Sequence, residues 1–212
     1  KLAQEHIIYR ERDLVVTPQF ECESSKDTPT ADSGNPLPVY NLGSSTTGVV
    51  NEEPVDIYFE ADYLTYTNNG SNVTNVVNYV TALFNVINGV FINDSVNTKL
   101  SAVKVWDVPD PYIGFTSQTT ALTAFSSNMS RGFPGDLAHF ITQRNLGGAA
   151  AYLDVLCRSM SSRTGVSGAL SNSFNPFPTY SYSVWVISHE LGHNLGSPHT
   201  QSCYWPGGAI DN

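Results

Sequence analysis

Basic residues are scarce. The chain carries 10 Lys and Arg against 19 Asp and Glu, a formal net charge of -9. Nucleic acid demands a basic surface, so it is excluded as a partner, and an anionic membrane surface is disfavoured on the same ground. The acidic excess reads as an aid to solubility. No apolar run approaches the ~18 residues of a membrane span, so no crossing segment is expected. The start, Lys1-Leu2-Ala3-Gln4-Glu5, has no initiator Met and is not a signal peptide; it reads as the start of a processed or trimmed chain. There are only 3 cysteines, Cys22, Cys157 and Cys203. The odd number leaves at least one without an internal partner, and no two of them form the CxxC of a zinc ribbon or a thioredoxin-type site. GxSxG and phosphate-binding glycine loops are absent. Outside one short window the only histidines are His6 and His139, so serine-hydrolase chemistry lacks its residues.

What is present suits one globular domain. The chain has 212 residues, 41% of them hydrophobic, enough for a sizeable core. Residues 1–52 read as an N-terminal extension or pro-segment remnant: one apolar stretch, then a Ser-, Thr-, Pro- and Gly-rich linker with Pro29, Pro36 and Pro38. The composition then shifts. Val55 to Leu64 predicts a strand, and Asn68-Asn69-Gly70 a turn. Over 72–91 the period changes: Val73, Val76, Val77, Val80, Leu83, Phe84, Ile87 and Phe91 recur at three and four, an amphipathic helix. Strands are expected at Leu100–Val105, Leu137–Thr142 and Ala149–Leu156, a short helix at 119–129, and a loop over 158–180. Tyr182–Leu195 predicts a last helix, stopped by Gly196 and Pro198. This alternation is an α/β pattern with a mixed sheet. Sequons at Asn69, Asn72, Asn93 and Asn128 fit a secreted, extracellular eukaryotic protein, against the alternative of chance in a chain rich in Asn, Ser and Thr.

The chemistry lies in one window, Ser188-His189-Glu190-Leu191-Gly192-His193-Asn194-Leu195-Gly196-Ser197-Pro198-His199. His189 and His193 are four apart on the predicted helix, so they share a face at a rise of ~6 Å. Two imidazoles so placed can converge on one ion at ~2.0–2.1 Å. Gly196 tolerates positive φ and allows the sharp turn that returns His199 as a third ligand. Three protein ligands leave a position open, the pattern of a catalytic rather than a structural zinc site. Glu190 projects about 100° around the helix from His189, beside the metal rather than on it. There it would take a proton from the attacking water and later give it to the departing amine. Zinc is expected from the ligand type. HExxHxxGxxH is a far more specific signal than HExxH alone.

With these residues the chain resembles the metzincin zinc metalloproteases, and among them the reprolysins of snake venoms and membrane-anchored disintegrin proteases. Asp56-Ile57-Tyr58-Phe59-Glu60-Ala61-Asp62 resembles that family's first strand, Asn85-Val86-Ile87-Asn88 its first long helix, and Val103-Lys104-Val105-Trp106 its second strand. Asp136 to Thr142 resembles the third strand, and Gly148-Ala149-Ala150-Ala151-Tyr152-Leu153 the edge strand. The resemblance implies an α/β (α+β) metzincin, zincin-like fold over 53–212: a twisted mixed sheet, an antiparallel edge strand over a cleft, and an active-site zinc helix. It implies a zinc endopeptidase acting on proteins or peptides, with Gly148, Ala149, Ala150 and Ala151 pairing with extended substrate. It also implies candidate calcium ligands in Asp56 and Asp136, against the reading of solvated strand-end aspartates.

The sequence departs from the family in two places. Thr200 stands where the family places Asp, which leaves pappalysin-like metzincins as an alternative. The only methionines, Met129 and Met160, precede the zinc motif, so the Met-turn of the family is expected in a C-terminal segment that would complete the domain. Cys203, and Cys157 likewise, are expected to pair with cysteines there. Cys22 reads as a small cysteine in an extension or, alternatively, as a thiolate that blocks the open zinc position. A catalytically idle metzincin-fold binding module is the other class to weigh; such a module has no need of Glu190.

Overall fold

The computed structural model describes residues 21–22, 53–175, 179, 181–202, 205 and 209–210. The remainder of the extension, part of the expected 158–180 loop and Cys203 lie outside the described residues, as does the side chain of Cys22.

The architecture is a sheet of 6 strands with helices on both faces. In chain order the elements are β1 (Glu21–Cys22), β2 (Val55–Ala61), α1 (Tyr63–Asn68), α2 (Val73–Asn93), β3 (Thr98–Val105), α3 (Gln118–Met129), β4 (Leu137–Ile141), β5 (Gly148–Ala151), β6 (Thr164–Ser167) and α4 (Tyr182–Asn194). The sheet order is β1-β5-β6-β4-β2-β3. All neighbours are parallel except β5 and β6, which run antiparallel. The expected mixed α/β sheet is therefore present.

β2 is buried on both faces, and so it reads as a continuous apolar run rather than an alternating one. Ile57, Phe59 and Ala61 join α2 and α4 in one core, while Tyr58 joins α3 and β4 in the other. Glu60 also lies in β2 and is fully buried. It is stabilised by donors: Tyr58 OH at 3.0 Å, Tyr112 OH at 3.2 Å, Trp106 Nε1 at 2.5 Å and the Lys104 ammonium at 3.7 Å. Burial and then the Glu60 charge push both tyrosine hydroxyls well above their usual pKa, so both stay protonated donors.

β2 ends three residues before the expected Leu64 because Asp62 caps a helix. Its Oδ1 accepts from Thr65 N at 2.8 Å, and its Oδ2 accepts from Thr142 Oγ1 at 2.6 Å and Arg144 Nε at 2.9 Å. Asn72 caps α2 by accepting from Asn75 N at 3.2 Å. By length and a mean hydropathy of 1.4, α2 could cross a membrane. Its stripe of Val76, Val80, Leu83, Phe84 and Ile87 is instead buried in the core, and Asn75 and Asn78 lie exposed on the other side. That is the placement of a core helix.

Two further expectations fail. Residues 158–180 are not all loop: Thr164–Ser167 is an interior strand, every residue of it buried. Its Thr, Gly and Ser show no apolar period. Their hydroxyls are satisfied across the sheet instead, Thr164 with Ser126 Oγ at 2.7 Å and Ser167 with His139 Nε2 at 2.9 Å. The expected strand Ala149–Leu156 stops at Ala151. Asp154 adopts φ +53°, which turns the chain out of the sheet towards the end of α4.

Candidate metal centre and peptide cleft

α4 is fixed by its apolar face. Val184, Ile187 and Leu191, spaced at three and four, are buried with α2 and β2. The helix ends in a Schellman motif: Ser197 N donates to Gly192 O and Gly196 N to His193 O, both at 2.9 Å, with Gly196 at φ +102°. This turn carries the chain back so that His199 stacks against His189, ring centroids 5.3 Å apart, and meets His193 edge-on at 4.7 Å.

The structure brings the three expected metal ligands together. One ligand atom from each of His189, His193 and His199 lies within 4.8 Å of the others, and this is the group of such ligands found among the described residues. His193 Nδ1 lies 2.7 Å from Ser197 O. A carbonyl only accepts, so Nδ1 holds the proton and Nε2 offers its lone pair. That Nε2 is 3.0 Å from His189 Nε2. Burial, reinforced by the two neighbouring imidazoles, pushes His189 down to about 3, so it is neutral, the form that binds metal. Tetrahedral ligation at ~2.0–2.1 Å needs nitrogens roughly 3.3 Å apart, a spacing within the range observed. The donor set is nitrogen only, which suits zinc. The residues present therefore fit the ion.

Glu190 is fully buried on the same helix, directly after His189. Trp185, one turn earlier, lies 5.4 Å from the His189 ring. The carbonyl of His199 accepts from Ser202 N at 2.9 Å and Trp205 Nε1 at 2.8 Å, which holds the third ligand's backbone.

The candidate substrate strand touches the metal helix directly. After β5, Asp154 N donates to His193 O at 2.9 Å and Val155 N to Asn194 O at 3.0 Å. The buried Asn194 amide returns bonds to Tyr152 O at 2.8 Å and Thr164 O at 3.1 Å. Sequence reasoning missed Asn194, Asp154, Trp185 and the Ser197 carbonyl. A buried carboxamide at the last turn of an apolar helix was the one legible signal.

β5 is antiparallel to β6, as expected, but it is not the outermost strand. Glu21 pairs with Gly148 and Cys22 with Ala149, in parallel. This short strand covers the first half of the edge assigned to substrate and leaves the edge of Ala150 and Ala151 unpaired by it. Cys157 is exposed and has no disulfide partner among the described residues.

Asp56 and Asp136 meet, but through the backbone: Asp136 Oδ2 accepts from Asp56 N at 2.9 Å. Asp56 Oδ1 faces Lys99 Nζ at 3.4 Å. The nearby cation is an ammonium, and the arrangement gives calcium no support.

A solved structure described as a chaperone–substrate complex contains a similar chain, with 15% identity and a TM-score of 0.53. The likeness covers 73% of this chain and 26% of that one, and it is a likeness of fold. The family model Reprolysin_5, Metallo-peptidase family M12, matches residues 51–205.

Proposed function

Since the chain belongs to metallo-peptidase family M12, we propose that it is a zinc-dependent endopeptidase. Its substrates are proteins or peptides, and it works outside the cell, a location supported by its sequons. The observation that carries this reading is the convergence of His189, His193 and His199 on one point, with Glu190 on the same helix.

His189, His193 and His199 hold the metal, and the Ser197 carbonyl fixes the tautomer of His193. Zinc in such a site acidifies water and polarises a carbonyl at neutral pH. Glu190, buried and adjacent in sequence to a ligand, takes the proton from the attacking water as oxygen bonds to the scissile carbon. When the carbon–nitrogen bond breaks, Glu190 passes that proton to the amine nitrogen. An extended peptide pairs with the edge of β5 through backbone hydrogen bonds, and the Asp154–His193 and Val155–Asn194 bonds hold that edge in register with the ligands. Full pairing requires Glu21–Cys22 to leave Gly148 and Ala149. Calcium has no part in this proposal.

The test is hydrolysis of a mixed peptide library by the zinc-loaded chain, by the chelated chain and by Glu190→Gln. Activity lost in both controls, with zinc still bound by Glu190→Gln, is expected. Equal activity in Glu190→Gln would remove Glu190 from the mechanism. Inactivity of the zinc-loaded protein with and without residues 1–52 would favour a binding module.

A further inference from the structure

Four Asn-x-Ser/Thr sequons stand at Asn69, Asn72, Asn93 and Asn128, and the proposed chemistry uses none of them. The fold separates them into two kinds. N-glycosylation replaces one hydrogen of the side-chain Nδ2 with a bulky sugar, so a site needs an exposed side chain whose nitrogen is uncommitted. Asn69 fails: its Nδ2 donates to Thr65 O at 2.7 Å and to Asn172 Oδ1 at 3.0 Å, which uses both hydrogens. Asn128 fails differently. The residue is exposed, but its Nδ2 is committed, donating at 2.7 Å to the hydroxyl of the buried Tyr112.

Asn72 and Asn93 pass. Both are exposed. The cap made by Asn72 uses Oδ1, which a glycosylated asparagine keeps. The Asn93 side chain makes no hydrogen bond among the described residues. They also bracket α2: Asn72 is its N-cap and Asn93 its last residue. Each adjoins an outlying apolar side chain, Val73 at 43% and Ile92 at 58% exposure, which a sugar at either end would shield from water.

We propose that Asn72 and Asn93 are the N-glycan attachment sites of this protein and that Asn69 and Asn128 stay bare. The proposal rests on the extracellular location in the functional reading and not on catalysis. It has a topological consequence. α2 is the helix long and apolar enough to span a membrane, and a spanning helix has its ends in different compartments. Sugar transfer occurs on one side only, so glycans at both ends place both ends on that side and make α2 a core helix.

The chain is to be expressed behind a cleavable secretion signal in a eukaryotic host, and the folded monomer purified. Enzymatic deglycosylation in heavy-oxygen water then marks each occupied asparagine for peptide mass spectrometry. Marks on Asn72 and Asn93 are expected, with none on Asn69 or Asn128. Thr74→Ala and Ser95→Gly destroy the two sequons without touching the Asn72 cap, and glycine suits the φ of +62° at Ser95. Each variant should lose one glycan, and the pair should lose all. A mark on Asn69 or Asn128, or a bare Asn72 or Asn93, overturns the assignment. The Glu190→Gln hydrolysis assay is independent of this result, so failure of the protease reading and failure of the glycan sites are separately visible.

Discussion

Two glycines sit four residues apart in the zinc motif, and the structure gives them opposite roles. Gly196 has φ +102°. An L-residue there costs about 1–2 kcal/mol from backbone strain alone. A Cβ on Gly196 would meet Asp154 Oδ1 at 3.4 Å, an ordinary contact, so no steric clash adds to that cost. Gly192 lies within α4 with no positive φ, and its Cβ would meet only Ser197 Cβ at 3.9 Å. Alanine at Gly192 should gain up to about 1 kcal/mol of helix propensity. The Gly196→Ala strain has two outlets. It can stay in the folded chain, lowering Tm by about 2–8 °C for a domain of this size. Or the turn can relax and move His199, in which case zinc binding weakens by about 5–30-fold. The two losses together should come to about 1–2 kcal/mol. The assays are thermal unfolding of the zinc-free protein and competitive zinc titration against a chelating dye. Gly192→Ala should show neither loss. A Gly196→Ala protein with wild-type Tm and wild-type zinc affinity would refute the argument, and so would a Gly192→Ala protein that loses as much as Gly196→Ala.

Removal of residues 1–52 should raise kcat/KM on peptides at least ~10-fold by freeing the backbone of Gly148 and Ala149 for substrate; an unchanged rate would mean that β1 does not compete with substrate. Burial holds the His139 pKa down to about 3, below its ordinary 6.5. The unfolded chain therefore binds the extra proton first, and the stability His139 contributes is full above pH ~6.5 and lost as pH falls towards 3, at up to about 1.4 kcal/mol per pH unit. Urea midpoints of the wild type and of His139→Leu across that range should diverge, and parallel curves would disprove the linkage. Alanine at Gly165 would place Cβ 2.8 Å from His139 Nδ1, for a loss of about 1–3 kcal/mol. The loss should shrink in a His139→Ala background, and strict additivity would show that the two side chains do not collide.

The elements legible in the sequence were those whose cause is local. α2 and α4 announce themselves by an apolar period of three and four, and the ligand spacing follows from the helix pitch. β2 and β4 are largely apolar, and β3 carries Leu100, Val103 and Val105 between polar residues, which is enough for each to stand out. β6 was not legible, because its hydroxyls are burial-compatible only through Ser126 and His139, residues far away in sequence. The early end of β2 depends on Thr142 and Arg144 reaching Asp62. The pairing of Glu21–Cys22 with β5 carries no composition signal at all. The His189–Glu190–His193–His199 constellation could be read whole, whereas its support could not: Asn194 looks like a polar residue in a helix until Tyr152 and Thr164 are brought beneath it.

That support explains why the candidate site has the geometry it does. Two of the proposed metal ligands lie on a helix and the third on the turn after it, the proposed peptide edge is a strand, and such elements packed only through apolar side chains would be free to slide. Here the carbonyl of Asn194 accepts from Val155 N, and the carbonyl of His193, already bonded by Gly196 N, also accepts from Asp154 N. The bonds that tie the end of α4 to the chain after β5 therefore set the distance from the proposed ligands to the proposed substrate strand. Asp154, which donates to His193, has left the sheet at φ +53°, and its side chain lies beside Gly196, where a Cβ would sit 3.4 Å from Oδ1. The break after β5 and the glycine turn that returns His199 are consequently one junction, and a change on either side of it should be felt at both the metal and the peptide edge.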